Sequence, residues 1–133
     1  MAHAQQPDAD VLRVVTNLFD GMRRKDTTLM RSTFAPNARI MSAGARNGAP
    51  FVSEASIDGW IASVGRSQQL LDERIFSPEV RVDGNLATVW MKYEFWANNT
   101  FSHCGYNSFQ VARSASGWQI IHIADSRRTE GCR

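Results

Sequence analysis

The sequence lacks the features that mark several large classes of protein. No apolar run in its 133 residues approaches the roughly 20 residues that a membrane-spanning helix needs. Its 15 basic and 13 acidic side chains leave a net charge of only +2, which favours neither a nucleic acid nor a membrane surface as partner. No internal repeat is visible. We therefore expect one globular domain over residues 1–133, with flexible tails at 1–7 and 129–133.

Cysteine is scarce, since Cys104 and Cys132 are the two in the sequence. Two cysteines are too few for a disulfide scaffold, and the first residues lack the charged segment and apolar stretch of a secretory signal. We therefore expect a cytoplasmic protein with reduced cysteines. A bridge between Cys104 and Cys132 is not expected, and Cys104 is interpreted as a small buried residue.

The motifs of metal and cofactor sites are missing as well. His103, His122 and Cys132 do not have the close spacing of metal ligands. No glycine-rich loop joins a strand to a helix, as a phosphate or dinucleotide site would require. We expect no metal and no cofactor.

The first half of the chain has the apolar periodicity of three amphipathic helices. Apolar residues at three-and-four spacing predict the first helix over residues 8–24, with Asp8 as its N-cap. Asp26 is expected to cap a short second helix that ends at Pro36, and Ser53 is expected to cap a third. The inner face of the third helix is predicted to contain Ile57, Trp60, Ile61 and Val64.

The rest of the chain is predicted to form strands. A short strand is expected at 38–42, followed by a loop at 43–50 that contains two glycines and a proline. Helices first and an antiparallel meander second indicate the α+β class, with three N-terminal helices covering the concave face of a curved, cone-shaped antiparallel sheet. The long alternating runs of that sheet are 70–82, 86–97, 101–113 and 118–126.

The turns predict which side chains share a face of the sheet. A two-residue loop at 98–99 would place Glu94 opposite His103 and Trp90 opposite Asn107. A loop at 114–117 would likewise place Phe109 opposite His122. Period-two alternation then puts all of these on one face. That face is predicted to contain Trp90, Lys92, Glu94, Trp96, Phe101, His103, Gly105, Asn107, Phe109, Ile120, His122 and Ser126.

The opposite face would carry Tyr93, Cys104 and Tyr106 among other apolar residues. Both faces are too apolar to lie open to water, and the helices can cover only one of them. We therefore predict a homodimer through the outer face of the sheet.

Four segments resemble the nuclear transport factor 2-like superfamily. Residues 34–38 look like its link between second helix and first strand, and 117–121 look like its entry to the last strand. Residues 102–105 and 123–128 resemble its polyketide cyclase-like and lumazine-binding-like branch. This superfamily hosts isomerases, dehydratases, cyclases, hydrolases and non-catalytic binders. The resemblance therefore implies the cone-shaped fold without implying one activity.

Similarity to ketosteroid isomerase implies which face is internal. Alternate residues from Trp118 to Ser126 would line the pocket, which selects the face that contains His103. The similarity also excludes that enzyme's mechanism. The positions that match its helix tyrosine, its general-base aspartate and its buried acidic donor hold Leu18, Ser42 and Phe109, and none of these can perform the same proton chemistry.

His103 is the leading candidate for acid–base chemistry, because histidine titrates near neutrality. Glu94 opposite it could orient the imidazole, and Asn107 could hydrogen-bond a carbonyl oxygen. This set would suit a cofactor-independent lyase, isomerase or cyclase acting on a hydrophobic ketone. The same residues could instead form a structural pair with a satisfied amide.

An aromatic group on the predicted inner face is expected to contact the ligand. These residues are Trp60, Trp90, Phe109 and Trp118, together with His122 as a polar contact. Core packing would explain most of them equally well. Two other functions therefore stay open, namely a non-catalytic binder of a flat aromatic, lumazine-like ligand and a protein-interaction module.

Overall fold

Three helices and six strands make up the part of the chain that the computed structural model describes, which is residues 2–133 with side chains from Pro7 onward. This is the α+β class that the sequence predicts. The elements in chain order are α1 (Ala2–Arg24), α2 (Thr27–Ser32), β1 (Phe34–Arg46), β2 (Ala49–Ala55), α3 (Ile57–Arg66), β3 (Leu71–Asp83), β4 (Leu86–Ala97), β5 (Thr100–Ser114) and β6 (Gly117–Ser126).

The helix starts differ from the prediction in two of three cases. Helix α1 begins at Ala2, so Asp8 lies inside it and is not its N-cap, and most of the tail predicted at 1–7 is helical. Met1 lies outside the described residues. Asp26 caps α2 as predicted, since its carboxylate accepts a hydrogen bond from the Leu29 N–H at 3.0 Å. The cap of α3 is Ser56 rather than Ser53.

The loop predicted at residues 43–50 is wrong, because these residues form a β-hairpin. Strand β1 continues to Arg46, and β2 returns antiparallel to it. Asn47 and Gly48 connect them with φ values of 52° and 79°. Asn-Gly is the commonest pair for a tight turn of this kind, because both residues tolerate positive φ. The proline and the other glycine of this segment favoured a loop, so the Asn-Gly turn was not predicted.

The six strands form one sheet in the order β2-β1-β6-β5-β4-β3. Strand β1 runs parallel to β6, and the other neighbours are antiparallel. Helix α1 lies across the sheet and buries its apolar stripe against the sheet's inner face. Wholly buried residues of this core include Val11, Val15, Leu18, Met30, Val89, Met91, Val111 and Ile120.

A bulge in β5 changes the predicted pairing with β4. Trp96 pairs with Phe101 as predicted, but Phe95 pairs with His103, so Ser102 is an extra residue in β5. The predicted pairing of Glu94 with His103 is therefore wrong, since Glu94 lies opposite Cys104. His103 consequently points to the inner face, while the even-numbered residues of β4 point outward.

A second bulge lies in β6. Val111 pairs with Ile120, whereas Gln110 pairs with His122, so Ile121 is the extra residue. The predicted pairing of Phe109 with His122 is therefore wrong. Beyond the bulge, Ile123 and Asp125 turn to the inner face and His122 turns outward.

The C-terminal residues are held against β5, where the sequence predicted a flexible tail and free thiols. Cys104 and Cys132 form a disulfide, so the prediction of reduced cysteines is wrong. Cys104 N–H donates to the Arg128 carbonyl at 2.8 Å, and the Lys92 ammonium donates to the Cys132 carbonyl at 2.9 Å. The two cysteines are 28 residues apart, and nothing in the local sequence indicates that the chain returns to β5.

No helix among the described residues is long and apolar enough to cross a membrane.

Gly105→Ala is expected to destabilise the protein by at least about 2 kcal/mol. A Cβ at Gly105 would lie 2.1 Å from the carbonyl oxygen of Ser126, which is backbone and also accepts the Tyr93 hydroxyl at 2.7 Å. Gly44→Ala is the control, because its Cβ would lie 3.7 Å from the nearest backbone atom. Urea unfolding measures both free energies, and equal values for the two variants would refute the steric argument.

Replacing Cys104 and Cys132 together by serine is expected to lower the free energy of unfolding by about 3 kcal/mol, because the disulfide restricts the unfolded chain. Thermal melting of wild type with and without dithiothreitol measures the same loss, and the double variant should not respond to reductant. Two free thiols titrated in the unreduced wild type would contradict the bridge.

Candidate functional site

A cavity of about 250 Å³ lies between the helices and the inner face of the sheet. Its size suits a small organic molecule. Most of its wall is apolar, formed by Leu18, Phe19, Met22, Ile40, Ala55, Trp60, Leu71, Phe95, Phe109 and Ile123. Its polar lining residues are Ser42, Glu73, His103, Asn107, Asp125 and Arg127.

Glu73 is a cavity residue that the sequence analysis did not single out. It lies in β3 opposite Phe95, and its carboxylate accepts a hydrogen bond from the Asn107 amide at 2.8 Å. Burial raises the pKa of Glu73 to about 7, and this outweighs the opposing effects of the Asn107 bond and the Arg127 charge. The sequence did contain a signal for it. Glu73 lies between Leu71 and Ile75 at a position of the alternating strand where an apolar residue is expected, and this indicates a buried carboxyl group.

Asp125 is a second carboxyl group of the cavity, and the bulge at Ile121 brings it to the inner face. It pairs with Asn107 on one side and with Ser42 on the other. Its Oδ1 atom is buried without a hydrogen-bond partner. Burial raises the pKa of Asp125, and the Ser42 hydrogen bond and the Arg127 charge partly oppose this. Glu73, Asn107 and Asp125 therefore form one polar cluster.

His103 lines the same cavity and is only 8% exposed. The centre of its ring is 5.2 Å from that of Phe95 and 5.7 Å from that of Tyr93, and its Nδ1 is 3.0 Å from the Ser102 hydroxyl. Burial, together with the smaller effect of the Arg127 charge, lowers the pKa of His103 to about 4. The imidazole is therefore neutral at pH 7.

Of the three predicted catalytic residues, His103 and Asn107 line the cavity and Glu94 does not. Glu94 lies on the outer face, where it accepts a hydrogen bond from Trp96 Nε1 at 3.2 Å. It cannot orient His103, because the sheet lies between them. The carboxylate that approaches Asn107 is Glu73.

Of the five predicted ligand contacts, two line the cavity and three do not. Trp60 and Phe109 line the cavity. Trp90 is 50% exposed and stacks on Tyr106 on the outer face. The other two also lie outside the lining, since Trp118 packs against the core and His122 faces outward beside Arg39. His122 faces outward because of the bulge at Ile121.

The three positions that were matched to ketosteroid isomerase all line the cavity. They are Leu18, Ser42 and Phe109. Their side chains supply two apolar contacts and one hydroxyl, so the acidic groups of this cavity stand at other positions of the same fold. Among the side chains that the structure describes, from Pro7 onward, no group of three or more histidine, cysteine or acidic residues is arranged to hold a metal ion.

Solved structures resemble the protein over nearly its whole length. A nuclear transport factor 2-like protein from Cytophaga hutchinsonii is 12% identical, covers 92% of this chain and 98% of its own, and has a TM-score of 0.74. One of unknown function from Silicibacter pomeroyi is 19% identical over 94% and 98%, with a TM-score of 0.66. Another with a cystatin-like fold, from Novosphingobium aromaticivorans, is 10% identical over 94% and 84%, with a TM-score of 0.74. At these identities the likeness shows the fold alone.

No curated protein matches this sequence. The family model described as "Putative lumazine-binding" matches residues 6–123, which is most of the chain. The protein therefore belongs to this lumazine-binding-like family and has the nuclear transport factor 2-like fold.

Proposed function

We propose that the protein takes a flat, hydrophobic carbonyl compound into the cavity and moves a proton on it without a cofactor. The observation that carries this proposal is the Glu73 carboxyl group, held by the Asn107 amide inside an apolar cavity. Burial brings its pKa to about 7. An acid–base group is most effective when its pKa lies near the working pH.

The proposed step starts with the deprotonated form of Glu73. Its carboxylate removes a proton from the carbon next to the substrate carbonyl, and the electron pair of the broken C–H bond moves to the carbonyl oxygen as an enolate. The ring N–H of neutral His103 is a group that could donate a hydrogen bond to this oxygen. Return of the proton from Glu73 to another carbon of a conjugated enolate gives isomerisation. Attack of the enolate carbon on a second carbonyl of the same molecule, whose oxygen then takes the proton from Glu73, gives cyclisation. Expulsion of a leaving group from the neighbouring carbon, with the electron pair of its bond, gives elimination.

The apolar wall would select the substrate. Trp60, Phe95 and Phe109 present aromatic rings to the cavity, and such rings favour a flat partner. The role assigned to His103 changes from the sequence prediction. Since its pKa is about 4, it serves as a neutral hydrogen-bonding group rather than as the proton carrier.

A non-catalytic binder of a flat heteroaromatic ligand is the second candidate, favoured by the family description. Lumazine-like rings carry both N–H donors and carbonyl acceptors along one edge. The carboxyl group of Glu73 and the amide of Asn107 could pair with such an edge. In that case the high pKa of Glu73 would contribute to recognition only.

The outer face of the sheet remains the proposed homodimer interface, with a second copy of the chain as its occupant. Trp90 is 50% exposed there, Phe76 is 41% exposed, and Tyr106 stacks on Trp90 with ring centres 5.1 Å apart. An aromatic patch of this kind on a sheet is costly to leave in water. Tyr106 was predicted on this face, whereas Trp90 was predicted on the inner face. Tyr93, also predicted here, is instead buried beside His103.

A cytoplasmic location stays a prediction from sequence. The disulfide between Cys104 and Cys132 favours an oxidising compartment instead, because cytosolic thiols are kept reduced.

Glu73→Gln is expected to keep ligand binding and to abolish proton transfer. A thermal-shift screen of flat hydrophobic ketones identifies ligands, and deuterium exchange next to the carbonyl, followed by NMR in D₂O, reports proton transfer. Glu73→Gln should slow exchange by at least about 100-fold. Glu94→Gln, the same chemical change on the outer face, should leave exchange unchanged.

The exchange rate of the wild type should rise with pH through about 7 and then level off, because the base is the deprotonated form of Glu73. The Glu73→Gln variant should lack this rise. If ligands stabilise the wild type but none of them exchanges, the protein is the non-catalytic binder.

Trp90→Glu is expected to convert a dimer into a monomer, because it places a charge in the centre of the aromatic patch. Light scattering after gel filtration at micromolar concentration measures the mass. Val52→Glu is the control, since Val52 is exposed on strand β2 away from the patch. A monomeric wild type would refute the interface.

A further inference from the structure

The cavity adjoins a wider, open cleft of about 880 Å³. Ser42, His103 and Arg127 belong to both linings, so the two spaces are continuous at these residues. Arg46 and Arg128 line the cleft but not the cavity. A ligand that fills the cavity and extends past His103 would therefore enter a region lined by three guanidinium groups.

The described residues that line the cleft carry an excess of positive charge. Among them are three arginines and one acidic residue, Glu130. The guanidinium of Arg128 is engaged locally, since it donates to the backbone carbonyl of Glu130 at 3.0 Å. Within the described residues, neither Arg46 nor Arg127 forms a side-chain hydrogen bond or an ion pair. These two guanidinium groups are available to a ligand.

Both groups are held in place by the fold. The guanidinium carbon of Arg46 lies 3.7 Å from the centre of the Phe51 ring, which keeps it over the cleft. Arg127 precedes Arg128, whose backbone makes two hydrogen bonds with Cys104. The disulfide from Cys104 to Cys132 closes the same segment. The position of Arg127 therefore depends on the attachment of the C-terminal segment to β5.

The two spaces differ in the ionisable groups that line them, since both cavity carboxyl groups are absent from the cleft and Arg46 and Arg128 are absent from the cavity. Glu73 and Asp125 line the cavity, so an anionic group placed inside would lose its hydration beside two carboxyl groups. In the cleft the same group would keep part of its hydration and meet two free guanidinium groups. A ligand with an anionic group at one end would therefore bind with that end in the cleft and the other end in the cavity.

We propose that Arg46 and Arg127 bind an anionic group, a carboxylate or a phosphate, on the end of the ligand that protrudes from the cavity. The inference rests on the proposed function, in that it takes the cavity as the ligand site. It narrows the substrate class to flat carbonyl compounds with an acidic substituent opposite the reacting carbon. The cleft then sets both affinity and orientation.

Three probes with one skeleton test this inference, namely 4-acetylbenzoate, its uncharged methyl ester and 4-acetylphenyl phosphate. Ligand-observed NMR at 50 mM and 300 mM NaCl gives their dissociation constants. At the lower salt concentration, at least one anion should bind about tenfold more tightly than the ester. The advantage should shrink at the higher concentration. The tighter of the two anions identifies carboxylate or phosphate as the preferred group.

Variants of Arg46 and Arg127 test whether these two residues cause the tighter binding of the anions. The double variant Arg46→Gln with Arg127→Gln should remove the advantage of the anion without changing the affinity of the ester. Arg81→Gln is the control, because Arg81 is exposed on β3 and lies outside both linings. Replacing the same two arginines by lysine should restore part of the advantage, which a merely structural role would not predict.

The inference is overturned if neither anion binds more tightly than the ester, including the case in which no probe binds. It is also overturned if the advantage survives in the double glutamine variant. Failure of the proposed catalysis gives a different pattern. In that case the anion advantage depends on Arg46 and Arg127, but deuterium exchange is absent and Glu73→Gln has no effect.

Discussion

The extra residue at Ser102 in β5 decides which side chains of the sheet face the helices. Because successive side chains of a strand alternate, one inserted residue exchanges the two faces beyond it. His103 and Asn107 thereby join Phe95 and Met91 on the inner face, and Glu94 is left outside. The bulge at Ile121 does the same for Asp125 in β6. Without these two insertions the polar cluster would not assemble.

The cavity places ionisable groups where water is scarce, and its chemistry follows from that cost. Burial raises the pKa of Glu73 to about 7 and lowers the pKa of His103 to about 4, so both groups favour their neutral forms. Asn107 connects the cluster, since its amide donates to Glu73 and its backbone pairs with Asp125. A single exposed cation, Arg127, acts on all of them from the edge. The cavity and the cleft are therefore one electrostatic unit.

The C-terminal segment both stabilises the fold and holds the arginines that line the cleft. Its disulfide and its backbone bonds to Cys104 fix Arg127 and Arg128 at the end of β5. Gly105 permits the close approach of β6 at Ser126, since a Cβ there would meet the backbone. The arginines at the entrance are thus positioned by the disulfide on the outer face of the sheet and by the backbone hydrogen bonds of Cys104.

The sequence by itself determined the α+β class, the long strands and the turn at Asn98 and Asn99, because periodicity and turn residues are local properties. It also determined that His103, Asn107 and Phe109 share a face, since they alternate within one strand. The partners of these residues were decided by tertiary structure. Bulges have no strong local signature, so neither Glu73 beside Asn107 nor Asp125 beside Ser42 could be read from the pattern. The bond between Cys104 and Cys132 also depends on a chain reversal that only the packed fold specifies.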